Sequence, residues 1–178
     1  TYGEKMSSAT ITTKVKGHVT IADGKTGEVL LDKDNAVHNK NMAIAIARGL
    51  SNEPADTASG IGKHQIYRMK FGNGGSDVSS MNVITYTPQE NSVTYQESPA
   101  PDTSTIVICT CTIAANEPSG QDLTDSPGDP DANSQYSFDE LGLFTYDNLL
   151  LTHIIFSPIL KTANRELVIT YTLTISVS

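Results

Sequence analysis

The feature that most constrains this fold is the alternation in its last stretch, Glu166-Leu-Val-Ile-Thr-Tyr-Thr-Leu-Thr-Ile-Ser-Val-Ser178. Leu167, Ile169, Tyr171, Leu173, Ile175 and Val177 fall on one side. Glu166, Thr170, Thr172, Thr174 and Ser176 fall on the other, with Val168 as the single apolar exception. A period of two marks a strand with one buried and one wet face. Such a strand needs other strands to cover its apolar side, so the rest of the chain must supply a β-rich core.

Two partners lie just upstream. Ser137–Tyr146 and Leu149–Phe156 flank Asp147-Asn148, a pair able to supply the positive φ angles of a hairpin turn. Near the other end, Ala9–Ala22 alternates, with Ile11, Val15, Val19 and Ile21 opposite Lys14, Lys16, His18 and Thr20. The cluster Asp23-Gly-Lys-Thr-Gly27 reads as a turn, and Glu28–Leu31 begins the return strand. Thr105–Ala115 forms another strand, with Val107, Cys109, Cys111 and Ile113 on its apolar face. His64–Phe71 is extended, with Tyr67, Met69 and Phe71 opposite Ile66, Arg68 and Lys70.

One helix interrupts this pattern. Over Asn39–Leu50, Met42, Ala45, Ile46 and Leu50 recur at the spacing of a buried stripe. Asn39 is the expected N-cap, and Gly49 and Asn52 are stop signals. Asp32–Asn41, before and into the helix, is polar and reads as irregular. Its side chains can cap the helix or bind backbone, as in a structural junction. They can also meet a partner, which makes Asp34, Asn35, His38 and Asn39 candidate interface residues.

The expected fold is therefore mainly β: a two-sheet antiparallel β-sandwich or jelly-roll with one short α-helix of roughly three turns. Its expected core is Val15, Val19, Ile21, Met42, Ile46, Leu50, Val107, Cys109, Cys111, Ile113, Leu167, Ile169, Tyr171, Leu173 and Ile175. Residues 1–8 read as an arm and 9–178 as one domain, a size able to bury a full core without staples. Glu53–Lys63 reads as a loop. Long polar excursions run over 77–104, with short strands at Val83–Thr87 and Ser92–Gln96, and over 117–135. Excursions of this length commonly carry function or contacts. Tyr86 and Tyr95 in the first and Asp125 and Asp129 in the second complete the candidate interface set.

Several chemistries are disfavoured. With 12 Lys+Arg against 20 Asp+Glu and a net charge of -8, the surface repels phosphate, so nucleic acid is not an expected partner. No apolar run is long enough to span a membrane, and no leader for secretion opens the sequence. Cys109 and Cys111, two apart on a strand, sit about 6.5–7 Å apart at their Cα atoms, at the limit for a relaxed disulfide. They read as small buried hydrophobes in a reduced compartment.

Phe71-Gly-Asn-Gly-Gly-Ser lacks the Gly-Lys-Ser/Thr of a phosphate loop and reads as a turn with positive φ angles. Asp122, Asp125, Asp129 and Asp131 lack the EF-hand spacing of a calcium loop, so a solvated loop is the default. His18 falls on a wet face. His153, alongside Leu149, Leu151 and Ile155, reads as a partly buried, hydrogen-bonded residue. No nucleophile elbow is present, so no catalytic, cofactor or metal residue is assigned and no enzyme is expected.

A larger pattern joins these pieces. It runs Glu28-Val-Leu-Leu-Asp, then Asn35-Ala-Val-His38-Asn-Lys-Asn-Met42, then the helix, then Tyr67-Arg-Met-Lys-Phe71-Gly-Asn-Gly-Gly75. The C-terminal half adds Phe138-Asp-Glu-Leu-Gly-Leu-Phe144, Leu150-Leu-Thr-His153 and Phe156-Ser-Pro-Ile-Leu-Lys161. This set resembles small virion structural proteins of contractile-tailed bacteriophages, and it is similar in cadence to the β-sandwich heads of tail-fibre and collar proteins. The resemblance implies a non-enzymatic particle component assembled in the host cytoplasm. It would be a homo-oligomeric adaptor of the neck–collar or of the tail and baseplate, in contact with itself and other virion proteins. The rivals are a capsid decoration protein and a carbohydrate- or receptor-binding module in which Tyr86, Tyr95 and Tyr136 stack on sugar.

Overall fold

A computed structural model describes residues 11–51, 60–74, 84–88, 92–97, 103–118 and 137–178. The arm at 1–8, most of the loop at 53–63 and most of both excursions lie outside the described residues. The strands are β1 (Thr13–Asp23), β2 (Val29–Val37), β3 (Ile66–Gly72), β4 (Ile84–Tyr86), β5 (Ser92–Glu97), β6 (Ser104–Ile113), β7 (Ser137–Thr145), β8 (Leu150–Leu160) and β9 (Leu167–Val177). The helix α1 spans Asn39–Leu50.

All pairings are antiparallel, and the strands form one nine-stranded sheet in the order β4-β3-β7-β8-β2-β1-β9-β6-β5. β9 is its central seam. It pairs with β1 from Thr13↔Val177 to Asp23↔Leu167, and with β6 from Ser104↔Ser176 to Ile113↔Leu167, without a break in register. Alternation on all three strands therefore points the same way. Val19, Ile21, Cys109, Cys111, Ile113, Leu167, Ile169, Tyr171 and Leu173 are buried together.

The mainly β, antiparallel character and the one helix among the described residues agree with the sequence. The hydrogen bonding makes one sheet where two were expected. β2 is the joint: its first part pairs with β1 up to Gly17↔Asn35, and Ala36 and Val37 then pair with His153 and Thr152 of β8. The sheet nearly closes into a barrel around a core that mixes residues from both halves. Each large apolar side chain fully buried there contributes about 1.5–3 kcal/mol.

Local chemistry sets the turns. Asp23 ends β1, and its Oδ1 accepts from the backbone N–H groups of Lys25 (2.9 Å) and Thr26 (3.0 Å), which lowers its pKa. Gly27 follows at φ 72°, a conformation that a side chain would strain. At the β7–β8 turn Asn148 takes φ 69°. Asp147 does not share the positive φ; its carboxylate accepts from Thr145 Oγ1 and from Arg48 at 2.5 Å, which ties the end of α1 to the hairpin. Burial pushes the Asp147 pKa up, but these two donors outweigh it and leave it lowered.

Four expectations need correction. Asp32–Val37 is not irregular but the continuation of β2. The N-cap is His38 rather than Asn39, and it makes no side-chain capping bond. Among the described glycines only Gly27 and Gly60 take positive φ, so Gly72 and Gly74 do not form a left-handed turn; Gly72 sits at a register shift beside β4. Finally, Ile46 and Leu50 do not join the core. The helical stripe runs from buried to exposed, with Met42, Ile46 and Leu50 at 7, 37 and 84%. The helix is anchored at its first turn, where Asn41 Nδ2 donates to Leu150 O (2.7 Å), so its stripe leaves the sheet as it proceeds.

Candidate interaction site

The junction between β2 and α1 gathers four of the candidate residues. Asp34 lies on the outer face of β2, opposite His18 in register. The His18 ring is held between carboxylates, Nε2 2.7 Å from Asp32 and Nδ1 2.8 Å from Asp34. The bond to Asp34 raises the His18 pKa; burial opposes it, and Asp32 adds to the rise. His18 thus lies on the wet face expected of it.

Asn35 points the other way, over Gly17. A Cβ at Gly17 would lie 1.8 Å from Asn35 Oδ1 and 3.3 Å from the Tyr171 hydroxyl, so glycine is what lets the Asn35 amide lie across β1. Both amide atoms of Asn35 are buried without a hydrogen-bond partner among the described residues. Next to it, the His38 backbone N–H donates to Leu151 O (2.9 Å), and its Nε2 is buried without a hydrogen-bond partner among the described residues. Asn39 opens the helix.

These residues border a groove. One cavity of about 360 Å³ lies between Val15–Gly17 and Asp34, Asn35, Val37 and Asn39. A second, of about 300 Å³, continues along Met42, Ala43 and Ile46 and shares Val15, Val37 and Asn39 with the first. The groove has a charged rim at Lys16 and Asp34 and an apolar wall on the helix. Such a surface offers shape and hydrogen-bonding groups side by side.

Compared with known proteins, the chain matches no family model, no curated protein and no solved structure.

The other candidates are not brought to the groove. Tyr86 lies on β4 and Tyr95 on β5, at opposite ends of the sheet, and their side chains lie outside what is described. Asp125 and Asp129 lie outside the described residues. Among the described residues, no cluster of His, Cys, Asp or Glu could hold a metal ion, and no helix is long and apolar enough to cross a membrane.

Three features were not anticipated from sequence. His153, expected to be partly buried, is wholly enclosed with Glu140, Nε2 to Oε2 at 2.8 Å. Glu140 Oε1 also accepts from the Gly74 N–H at 3.1 Å. The available signal was an acidic pair, Asp139 and Glu140, in the otherwise apolar run Phe138–Phe144. Lys161 is buried, its Nζ donating to Ala115 O and Thr162 O at 3.1 Å each. Burial pushes its pKa down to about 8, against the opposing pull of Glu117 and Glu166. The third feature is the exposed end of the helical stripe. Cys109 and Cys111 are free and buried as expected, and burial lifts both thiols to about 12.

Proposed function

We propose that the protein is a non-enzymatic structural component of a tailed-phage virion, an oligomeric adaptor of the neck–collar or of the tail and baseplate. The observation that carries this reading is the pair of edges that the nearly closed sheet leaves among the described strands. β4 and β5 end the strand order, and each pairs on one side only among the described strands. An open edge presents unpaired backbone donors and acceptors, a liability unless another chain covers it. A particle subunit gains its neighbours by such edges, and the exposed end of α1 and the groove offer further contact surface. The two halves of the curled sheet act as the two layers of a sandwich, consistent with the resemblance to tail-fibre and collar heads. The acidic charge keeps free subunits soluble in the host cytoplasm before assembly.

Gold-conjugated antibody against this chain, applied to intact particles and viewed by electron microscopy, tests the reading. Label at the neck or tail is expected. Label spread over the head makes the protein a decoration protein, and particles without label overturn the structural reading.

One observation favours a second reading. The groove beside Asn35 joins unpaired amide atoms to an apolar wall, which suits a carbohydrate- or receptor-binding module. Glycan-array binding by the isolated protein, lost on Asn35→Ala, supports it over the adaptor.

A further inference from the structure

Among the described residues, strand β5 is an edge without the usual protection. It runs six residues, Ser92–Glu97, against β6 from Ser92↔Thr110 to Glu97↔Thr105 with no bulge. Natural edges are blunted by lysine, proline, bulges or shortness. β5 has no lysine, arginine or proline, and its only charge is the terminal Glu97. Val93, at 42% exposure, leaves apolar surface on the strand. In an antiparallel ladder every second residue turns its N–H and C=O away from its partner. On β5 those groups point to the open side.

The other end of the sheet does not match it. β4 has three residues, Ile84–Tyr86, and meets β3 through a register shift, so it can extend a ladder by few bonds. The open edge equal to β5 in length, among the described residues, is β5 of a second copy. Antiparallel pairing of β5 with itself is also compatible in charge: Glu97, the strand's one charged residue, takes position near the other strand's Ser92, so the two Glu97 positions fall at opposite ends of the pair. A two-fold interface of this kind closes on itself, whereas β5 on β4 would be head-to-tail and open-ended.

We infer that β5 pairs antiparallel with β5 of a second copy about a two-fold axis near Thr94 and Tyr95, so that one sheet runs through both subunits. This assignment rests on the reading of the protein as an assembling subunit and names the surface it uses first. The partner is recognised by main-chain hydrogen bonds, and alternate side chains set the register.

Sedimentation of the full chain across a concentration series, with Thr94→Lys and Thr94→Glu variants, tests it. Thr94 is exposed, so circular dichroism should show both variants folded like the wild type. On facing strands the two lysines come within about 5–8 Å of each other, and so do the two glutamates. Like charges so placed weaken association at least about a hundredfold. The wild type is expected to sediment as a dimer and each variant alone as a monomer, while a mixture of the two variants recovers the dimer.

A dimer indifferent to Thr94→Lys overturns the edge assignment and leaves the particle reading standing. Particles that take no antibody label while the β5 dimer persists do the reverse. A ladder of larger species abolished by Thr94→Lys overturns the two-fold in favour of β5 on β4. A wild type that stays monomeric overturns the inference outright.

Discussion

Glu140 and His153 meet across β7 and β8, with Oε2 2.8 Å from Nε2 and side chains 1% and 0% exposed. The pair is local to the hairpin yet fixes more than the hairpin. Glu140 Oε1 holds the Gly74 N–H just past β3, and His153 stands in register with Ala36 of β2, at the short joint between the sheet's halves. Breaking a buried pair leaves one polar partner without compensation, whereas replacing both with packed apolar groups can be nearly neutral.

His153→Leu and Glu140→Met should therefore each lower stability by about 3–5 kcal/mol. The combination Glu140→Met with His153→Leu should lose much less than the sum of the singles. Urea unfolding of the four proteins measures this as a double-mutant cycle. Additive effects would mean that the two residues do not act as a pair.

The Gly17–Asn35 relationship gives a second test. An added Cβ at Gly17 overlaps the Asn35 amide, so Gly17→Ala must push Asn35 out of place. Overpacking of this kind costs about 1–3 kcal/mol. Asn35→Ala removes the obstacle, so the double variant should be more stable than Gly17→Ala alone. If Asn35→Ala brings no relief, the clash is not what makes glycine necessary at this position.

How much of this was legible in the sequence follows from how many faces each strand buries. β1, β6 and β9 bury one face and wet the other, so alternation located them. β7 and β8 bury residues on both faces, from Leu141 to Thr145 and from Leu151 to Ile154. Their hairpin was legible, but their large share of the core, including Phe138, Leu141, Leu143 and Ile154, was not. With both faces buried, a buried Glu140 could not be told from a wet one. The second half of β2 failed for the opposite reason. Asp32 and Asp34 clasp His18 outside, and Lys33 Nζ reaches Ile155 O at 3.0 Å, so the strand carries few apolar residues to reveal it. Helical spacing gave the bounds of α1, but periodicity cannot tell how far along its length a neighbour reaches. The candidate residues at the junction were legible as polar side chains between two elements; the groove depends on how Gly17 and Val15 of the preceding strand lie against them, which polarity alone does not reveal.

The stripe on α1 makes a third prediction. Met42→Ala removes a buried side chain and should cost about 2–5 kcal/mol, while Leu50→Ala touches a surface position and should stay within about 0.5 kcal/mol. Thermal unfolding of the two variants separates them. A large loss at Leu50 would place the end of the helix against the core after all.

The last prediction concerns alkaline pH, where buried groups, Lys161 and the two cysteines among them, act in opposite directions. Burial lowers Lys161 from 10.5 to about 8. Between those values the unfolded chain holds a proton that the folded protein has released, so stability rises with pH across that window, and below it the charged ammonium weighs on the fold. Burial lifts Cys109 and Cys111 from 9.0 to about 12, with Glu117 adding to the rise at Cys111. Here the unfolded chain loses its protons first, so stability falls as pH rises above 9.0. Each group bends the curve by up to about 1.4 kcal/mol per pH unit. Two thiols outweigh one ammonium, so stability should climb from pH 8, peak near pH ~9 and then decline. Urea midpoints taken across this range at fixed salt trace the curve. Lys161→Met should remove the climb, and Cys109→Ala with Cys111→Ala should remove the thiols' part of the decline. A decline that persists in the cysteine variant at its original slope would show that the thiols do not govern it.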